Sequence, residues 1–254
     1  MTPHKSSISL SVVIPFFNEE AAAFQIVDEL CQEMTHLENG WEAILVNDGS
    51  KDGTAAELER ARARWPQCRV LHLAQNRGQG GALLHGIQAA TAPIIGMMDG
   101  DGQNVPGDLH DLLPLLLQAD MVVGVRVDRH DSKLRHIMSR IANRVRGTLL
   151  RDGVSDAGCA LKVFRREVVE SFLPVHMLNP FMPAFAVSGG FRVIERAVRH
   201  RERQGGESKY GFRVMLWRPM FDMLALAWVL RRRIPVNAKF HESIEPRMDA
   251  NGRE

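Results

Sequence analysis

Asp99-Gly100-Asp101-Gly102-Gln103 places two carboxylates and one amide within five residues, directly after the apolar run Ile94 to Met98. Carboxylates at the end of a buried strand are costly unless something positive sits beside them. A hard divalent cation with oxygen ligands meets that need, and it would also stabilise a departing diphosphate. An EF-hand is excluded, because Pro106 interrupts and no further ligands follow at the required spacing. A plain Asp/Gly turn is the alternative. A second cluster, Asn47-Asp48-Gly49-Ser50-Lys51-Asp52-Gly53-Thr54, follows the apolar stretch Glu42 to Val46. It suits a turn leading into a helix N-cap, and Asp48 equally suits a carboxylate acceptor for a base or ribose. Gly78-Gln79-Gly80-Gly81 misses the dinucleotide spacing G-x-G-x-x-G, so its glycines read as letting a helix start close to a ligand or sheet. Nucleophile-elbow, zincin and Walker motifs are absent from the sequence.

The elements that must carry these clusters alternate. Ile8 to Ile14, Glu42 to Val46, Arg69 to Leu73, Ile94 to Met98 and Met121 to Val125 read as strands. Ala21 to Leu37, Ala55 to Arg64, Gly80 to Ala90 and Leu109 to Leu117 read as helices. Repeated β-α units with continuous apolar strands predict an α/β fold with a mostly parallel sheet covered by helices on both faces. Ligands of such sheets bind at the carboxyl ends of the strands, which is where Asp48 and Asp99 fall.

Charge is unevenly distributed. Phe191 to Arg233 carries eleven Lys and Arg against four Asp and Glu, which suits a phosphorylated ligand, an anionic membrane surface or nucleic acid. Trp217, Phe221, Leu224 and Trp228 recur at helical spacing between Gly211 and Arg233, and Arg231-Arg232-Arg233 closes the segment. That pattern fits either an interfacial amphipathic helix or one packed on the core. Cys31, Cys68 and Cys159 make no CxxC pair and no zinc spacing, and Cys31 and Cys68 read as small buried residues in a reducing compartment. No segment approaches the roughly 20 apolar residues of a membrane span, and Met1 to Ser9 has no signal-peptide core. The expectation is a cytoplasmic protein, peripheral on a membrane.

Four segments together resemble the family 2 glycosyltransferases, which have the glycosyltransferase-A fold, a Rossmann-like α/β architecture. They are Val13-Ile14-Pro15-Phe16-Phe17-Asn18-Glu19-Glu20, Val46-Asn47-Asp48-Gly49-Ser50, Asn76-Arg77-Gly78-Gln79-Gly80-Gly81-Ala82 and Met98-Asp99-Gly100-Asp101-Gly102-Gln103. The second half resembles the dolichol-phosphate mannose synthase-like branch, which glycosylates polyprenyl phosphates. The matching residues are Val123-Gly124-Val125-Arg126, Ser139-Arg140-Ile141-Ala142-Asn143, Asp156 with Lys162-Val163-Phe164-Arg165-Arg166, and Arg203-Gln204-Gly205-Gly206-Glu207-Ser208-Lys209-Tyr210-Gly211.

The resemblance implies roles. Pro15, Phe17, Glu19, Val46 and Asp48 would hold the nucleoside, with Gly100 also on the donor side. Asp99, Asp101 and Gln103 would hold Mg2+ or Mn2+. Arg126, Arg203 and Lys209 would meet the donor phosphates or sugar, and Arg140 the acceptor phosphate; Asp99, Asp101, Arg126 and Arg140 form the expected catalytic set. The partners implied are a nucleotide-diphosphate sugar, a polyprenyl phosphate and a peripheral membrane surface, not nucleic acid. Two departures stand out: Phe17 replaces the usual Tyr, and Lys162 replaces an Arg, exchanging a bidentate fork for a point charge. The Gln-x-x-Arg-Trp signature of processive members is absent, so a polymerising synthase is not expected. The expected organisation is one catalytic domain, residues 1–240, with residues 211–233 as a membrane-proximal helical segment and residues 241–254 as a polar tail. Transfer would invert the anomeric centre. The competing readings are transfer to a glycan or other hydroxyl acceptor, and a non-catalytic nucleotide-sugar-binding protein.

Overall fold

The computed structural model describes residues 9–37, 40–127, 144–202 and 223–236. Strands β1 (Leu10–Phe16), β2 (Trp41–Asn47), β3 (Cys68–His72), β4 (Ile94–Met97), β5 (Met121–Arg126), β6 (Lys162–Arg165) and β7 (Val193–Val198) form a single seven-stranded sheet in the order β3-β2-β1-β4-β6-β5-β7. β6 runs antiparallel to both its neighbours, β4 and β5, while the other pairings are parallel.

Alternation explains why the central strands read as unbroken apolar runs. Val12, Ile14, Ala43 and Leu45 enter one core, and Val13, Ile44 and Val46 enter the other. The first core is covered by α1 (Ala23–Met34), whose buried residues Ala23, Ile26, Val27, Leu30, Cys31 and Met34 keep helical period, and by α2 (Thr54–Arg64). The second is covered by α3 (Gly78–Ala89) and by the helix Leu178–Ser188. Gly86 lets α3 lie against β1 and β2, because a Cβ there would fall 2.3 Å from Val13 Cγ1.

The strand and helix order of the first half follows the sequence expectation, with two corrections. β1 does not stop at Ile14 but continues through Pro15 to Phe16, in register with Val46 and Asn47. The Val13 carbonyl accepts from Met98 N–H, so Val13 and Pro15 face β4, whose pairing with β1 ends at Met97; the N–H that Pro15 lacks is therefore not missed. The single helix expected over Leu109 to Leu117 is instead a short helix, Leu109–Leu112, followed by a 3-10 stretch, Leu113–Leu117. Pro114 sits in the first turn of that stretch, where it can donate no hydrogen bond back into an α-helix.

Candidate active site

β1 lies between β2 and β4, and the connections leave it in opposite directions, which makes a crevice at the carboxyl edge beside β1. Residues 17–20 and 48–54, which follow β1 and β2 at that edge, are laced together. Asn18, held at φ 53°, donates its N–H to Ser50 Oγ at 3.0 Å, and its side-chain oxygen accepts from Lys51 N–H at 2.8 Å. Glu19 N–H donates to Thr54 Oγ1, and Gly53 N–H to Glu20 Oε2. Pro15 and Val46 pair across β1 and β2, Phe17 and Glu19 follow β1, and Asp48 follows β2; of these Glu19, Val46 and Asp48 are buried.

Asp48 follows β2, is 2% exposed, and accepts the Arg77 N–H at 2.7 Å. Burial pushes its carboxyl above the ordinary range, and the Arg77 and Gly78 amides act against that rise. Two residues further on, Gln79 Nε2 donates to Asp99 Oδ1 at 2.5 Å. The start of α3 therefore bridges Asp48, after β2, to Asp99, after β4.

The Asp99 loop is fixed by its own backbone. Asp99 N–H donates to Asn104 Oδ1, and Gln103 N–H to Asp101 Oδ1. Asn104 forms a bridge with His200, and Arg201 N–H donates to the Gln103 carbonyl, so the residues after β7 pin the loop. Gly100 is sterically required, since a Cβ there would lie 2.5 Å from the Phe16 ring and 2.7 Å from the Pro15 carbonyl. Desolvation first, and the Asp101 carboxylate second, raise the Asp99 carboxyl to about 6. Such a like-charge pair gains most from a bound cation, and its oxygens are the donors a hard divalent ion takes. Gln103 shares this loop, with its Nε2 set 3.4 Å from His200 Nε2. Among the described residues no group of three or more His, Cys, Asp or Glu side chains gathers into a metal-binding cluster, so further oxygens would come from the amide, the ligand or water.

Arg126 ends β5 and is locked to Asp156 by a fork, Nε to Oδ2 and Nη2 to Oδ1, both 2.8 Å. In the sequence Asp156 stands out only through the family resemblance, because this pairing is a contact thirty positions away. Arg140, Arg203 and Lys209 lie outside the described residues. Arg199 and Arg201 pair with Asp108 and Glu29, as befits structural surface charges. Cys31 and Cys68, scattered in sequence, lie with Sγ atoms 3.5 Å apart in the core between α1 and β3, as free thiols.

Behind α3 a cavity of about 580 Å3 opens, walled by Gly80, Leu84, Leu173, Val175, Leu226 and Val229 among others. Asp48, Asp99 and Asp101 do not line it, but Gly80 and Arg77 on its rim flank Gln79. Gly80 is packed tightly here, with a hypothetical Cβ 2.2 Å from the His176 carbonyl oxygen. Along the same wall the helical residues 223–230 bury Leu226 and Ala227 and expose Leu224 and Trp228, the latter 60% exposed. Among the described residues no helix is long and apolar enough to cross a membrane.

Comparison with known proteins places this geometry. The profile of the family described as Glycosyl transferase family 2 matches residues 11–173. Dodecaprenyl-phosphate galacturonate synthase of Rhizobium johnstonii is 35% identical over 235 residues, covering 89% of this chain and 68% of that protein. Undecaprenyl-phosphate 4-deoxy-4-formamido-L-arabinose transferase of Pectobacterium carotovorum is 34% identical over 219 residues, covering 85% of this chain and 66% of that protein. The chain spans about two thirds of the length of these relatives. Among solved structures, glucosyl-3-phosphoglycerate synthase from Mycobacterium tuberculosis, in complex with phosphoglyceric acid, superposes with a TM-score of 0.65 at 16% identity over 93% of this chain and 85% of that one. The mannosyltransferase PcManGT from Pyrobaculum calidifontis, in complex with GDP-Man and Mn2+, superposes at 0.61 with 20% identity over 83% of this chain and 60% of that one. The fold is the glycosyltransferase-A fold, and the chain belongs to glycosyl transferase family 2.

Proposed function

We propose that the protein transfers a sugar, with inversion, from a nucleotide-diphosphate sugar to a polyprenyl phosphate. The observation that supports the donor half is the bridge from Asp48 through Arg77 and Gln79 to Asp99, which ties the carboxylate assigned here to the nucleoside to the one assigned to the metal along one strand edge. Asp48, with Pro15, Phe17, Glu19 and Val46, holds the nucleoside. Asp99, Asp101 and Gln103 hold Mg2+ or Mn2+, and Gly100 leaves room for the loop to turn against Phe16. The ion supplies charge neutralisation for the leaving diphosphate. Arg126, aimed by Asp156, takes the donor phosphates or sugar, assisted by Arg203 and Lys209.

The acceptor half is supported by the relatives, which are named as polyprenyl-phosphate enzymes. A phosphate is already an anionic nucleophile at neutral pH, so alignment and desolvation matter more than a general base. Arg140 receives it. The largely apolar cavity beside Gly80 and the exposed Leu224 and Trp228 suit an isoprenoid chain arriving from a membrane surface, with the protein peripheral on its cytoplasmic face. Residues 1–240 act as one catalytic domain and residues 241–254 as a tail.

The test offers the purified protein undecaprenyl phosphate or undecaprenol, a panel of nucleotide sugars, and Mg2+ or Mn2+. A lipid monophosphate sugar formed from the phosphate alone is expected. Equal use of the alcohol, or transfer only to a glycan, would overturn the reading.

A further inference from the structure

Lys162 opens β6 with a side chain that is fully enclosed, at 0% exposure. Among the described residues no carboxylate closes an ion pair with it. Its Nζ donates instead to the Ala157 carbonyl at 3.2 Å, to the Cys159 carbonyl and to Asn179 Oδ1. An enclosed ammonium costs several kcal/mol, and β6 continues with the ordinary apolar residues Val163 and Phe164, which are also fully buried. Besides its through-space attraction to Asp99 and Asp156, the ammonium holds directly only its three acceptors.

Two of them belong to the segment 156–160, and the third is a side chain of the helix Leu178–Ser188. The start of the segment is held by β7 as well. Glu195 of β7 accepts with Oε1 from Ser155 N–H at 2.7 Å, from Ser155 Oγ at 3.0 Å and from Asp156 N–H at 3.3 Å. Between these anchors stands Asp156, whose carboxylate takes the Arg126 fork and also the Arg126 N–H at 3.2 Å. Gly158 is close-fitted to the same guanidinium, with a hypothetical Cβ 3.3 Å from Arg126 Nη2. The fork occupies only two of the five N–H donors of a guanidinium, so its plane decides where the others face.

We infer that Lys162 is a positioning residue: its ammonium ties the 156–160 segment to Asn179 so that Asp156 presents the Arg126 guanidinium in one fixed plane at the donor site. The part this plays in catalysis rests on the assignment of Arg126 to the donor; the mechanical link does not. Lys162 acts through Asp156 and Arg126 and touches no reactant.

The link is read first without turnover, by following exchange of the Arg126 Nε–H in 1H–15N spectra. Lys162→Met keeps length and apolar packing but removes the ammonium. It is expected to speed that exchange at least about tenfold, leaving β1 and α1 amides unchanged, and Lys162→Arg is expected to restore most of the protection. Unchanged Nε–H exchange in a folded Lys162→Met protein overturns the inference. If that variant does not fold, Asn179→Ala, which removes one acceptor only, carries the same comparison with the same two outcomes. Turnover is read second, with undecaprenyl phosphate as acceptor, in a double-mutant cycle. Lys162→Met is expected to lower kcat at least about tenfold alone, but less than about twofold in an Arg126→Ala background. Losses that multiply would mean that Lys162 does not act through Arg126. If undecaprenyl phosphate is not a substrate at all, the proposed function fails while the exchange measurement still decides the positioning role.

Discussion

Asp99 sets burial against charge. Its carboxyl titrates near 6 because desolvation and Asp101 both penalise its charge, so the metal-free protein at neutral pH holds an unfavourable ionised pair. The penalty is on the order of 2 kcal/mol after allowance for partial exposure. Asp99→Asn should therefore raise the thermal midpoint of the metal-free protein while abolishing the rise that Mn2+ with UDP produces in the wild type. A lowered metal-free midpoint would show that the pair is not in conflict. Asp101→Ala, or excess EDTA, should cost at least about 100-fold in turnover if the ion supplies several kcal/mol at the transition state. Full activity in EDTA would remove the metal from the mechanism. At Asp48 the expected loss is in nucleotide affinity: Asp48→Ala should weaken UDP binding by calorimetry, and unchanged affinity would take the nucleoside away from that carboxylate.

These aspartates were legible in the sequence because each follows a strand directly, so local pattern and the strand-end rule suffice to find them. The contacts that surround Arg126 were not. Lys162, Asp156, Glu195 and Asn179 meet only once β6 has slotted between β4 and β5, and nothing local announces that register. The Cys31–Cys68 proximity was hidden for the same reason. At the level of elements, Glu42 shows how a buried carboxylate can stitch strands. Burial alone would raise it, but hydrogen bonds from Thr91, Ser11 and Arg69 outweigh burial and hold it at about 2. It thereby ties β2 to β1, to β3 and to the turn before β4. Because its folded value lies below the unfolded one, its contribution is complete above about pH 5 and is lost as pH falls toward 2. The shift corresponds to about 3 kcal/mol at pH 7. Glu42→Gln should cost up to that amount in urea unfolding at pH 7, with the difference from wild type shrinking steadily towards pH 3. A difference independent of pH would mean that the carboxylate charge is not what holds the strands.

For the molecule as a whole, the described end of the expected amphipathic segment, residues 223–230, is split between two environments. Leu226 and Ala227 are buried in the core on the α3 side of the sheet, while Leu224 and Trp228 are exposed and Arg232 lies over the Trp228 ring at 4.3 Å. Trp217, the other tryptophan of the segment, lies outside the described residues. Trp228→Ser should leave the thermal midpoint nearly unchanged and reduce sedimentation with anionic vesicles roughly tenfold, the equivalent of losing a buried aromatic of about 1.5 kcal/mol. A large drop in midpoint with normal vesicle binding would place Trp228 in the core instead.

The reversed strand β6 also sets the order in which the chain can assemble. β3, β2, β1 and β4 can pair as soon as residue 97 is made, but the outer edge of β4 keeps open amide and carbonyl groups until residues 162–165 emerge and pair along Ile94 to Met97. During synthesis the nascent half-sheet therefore carries an unpaired edge rich in Ile and Met, the kind of surface that recruits holding chaperones or stray strands. A polypeptide ended after β5 should aggregate through that edge, and supplying the 160–166 segment as a peptide should suppress it.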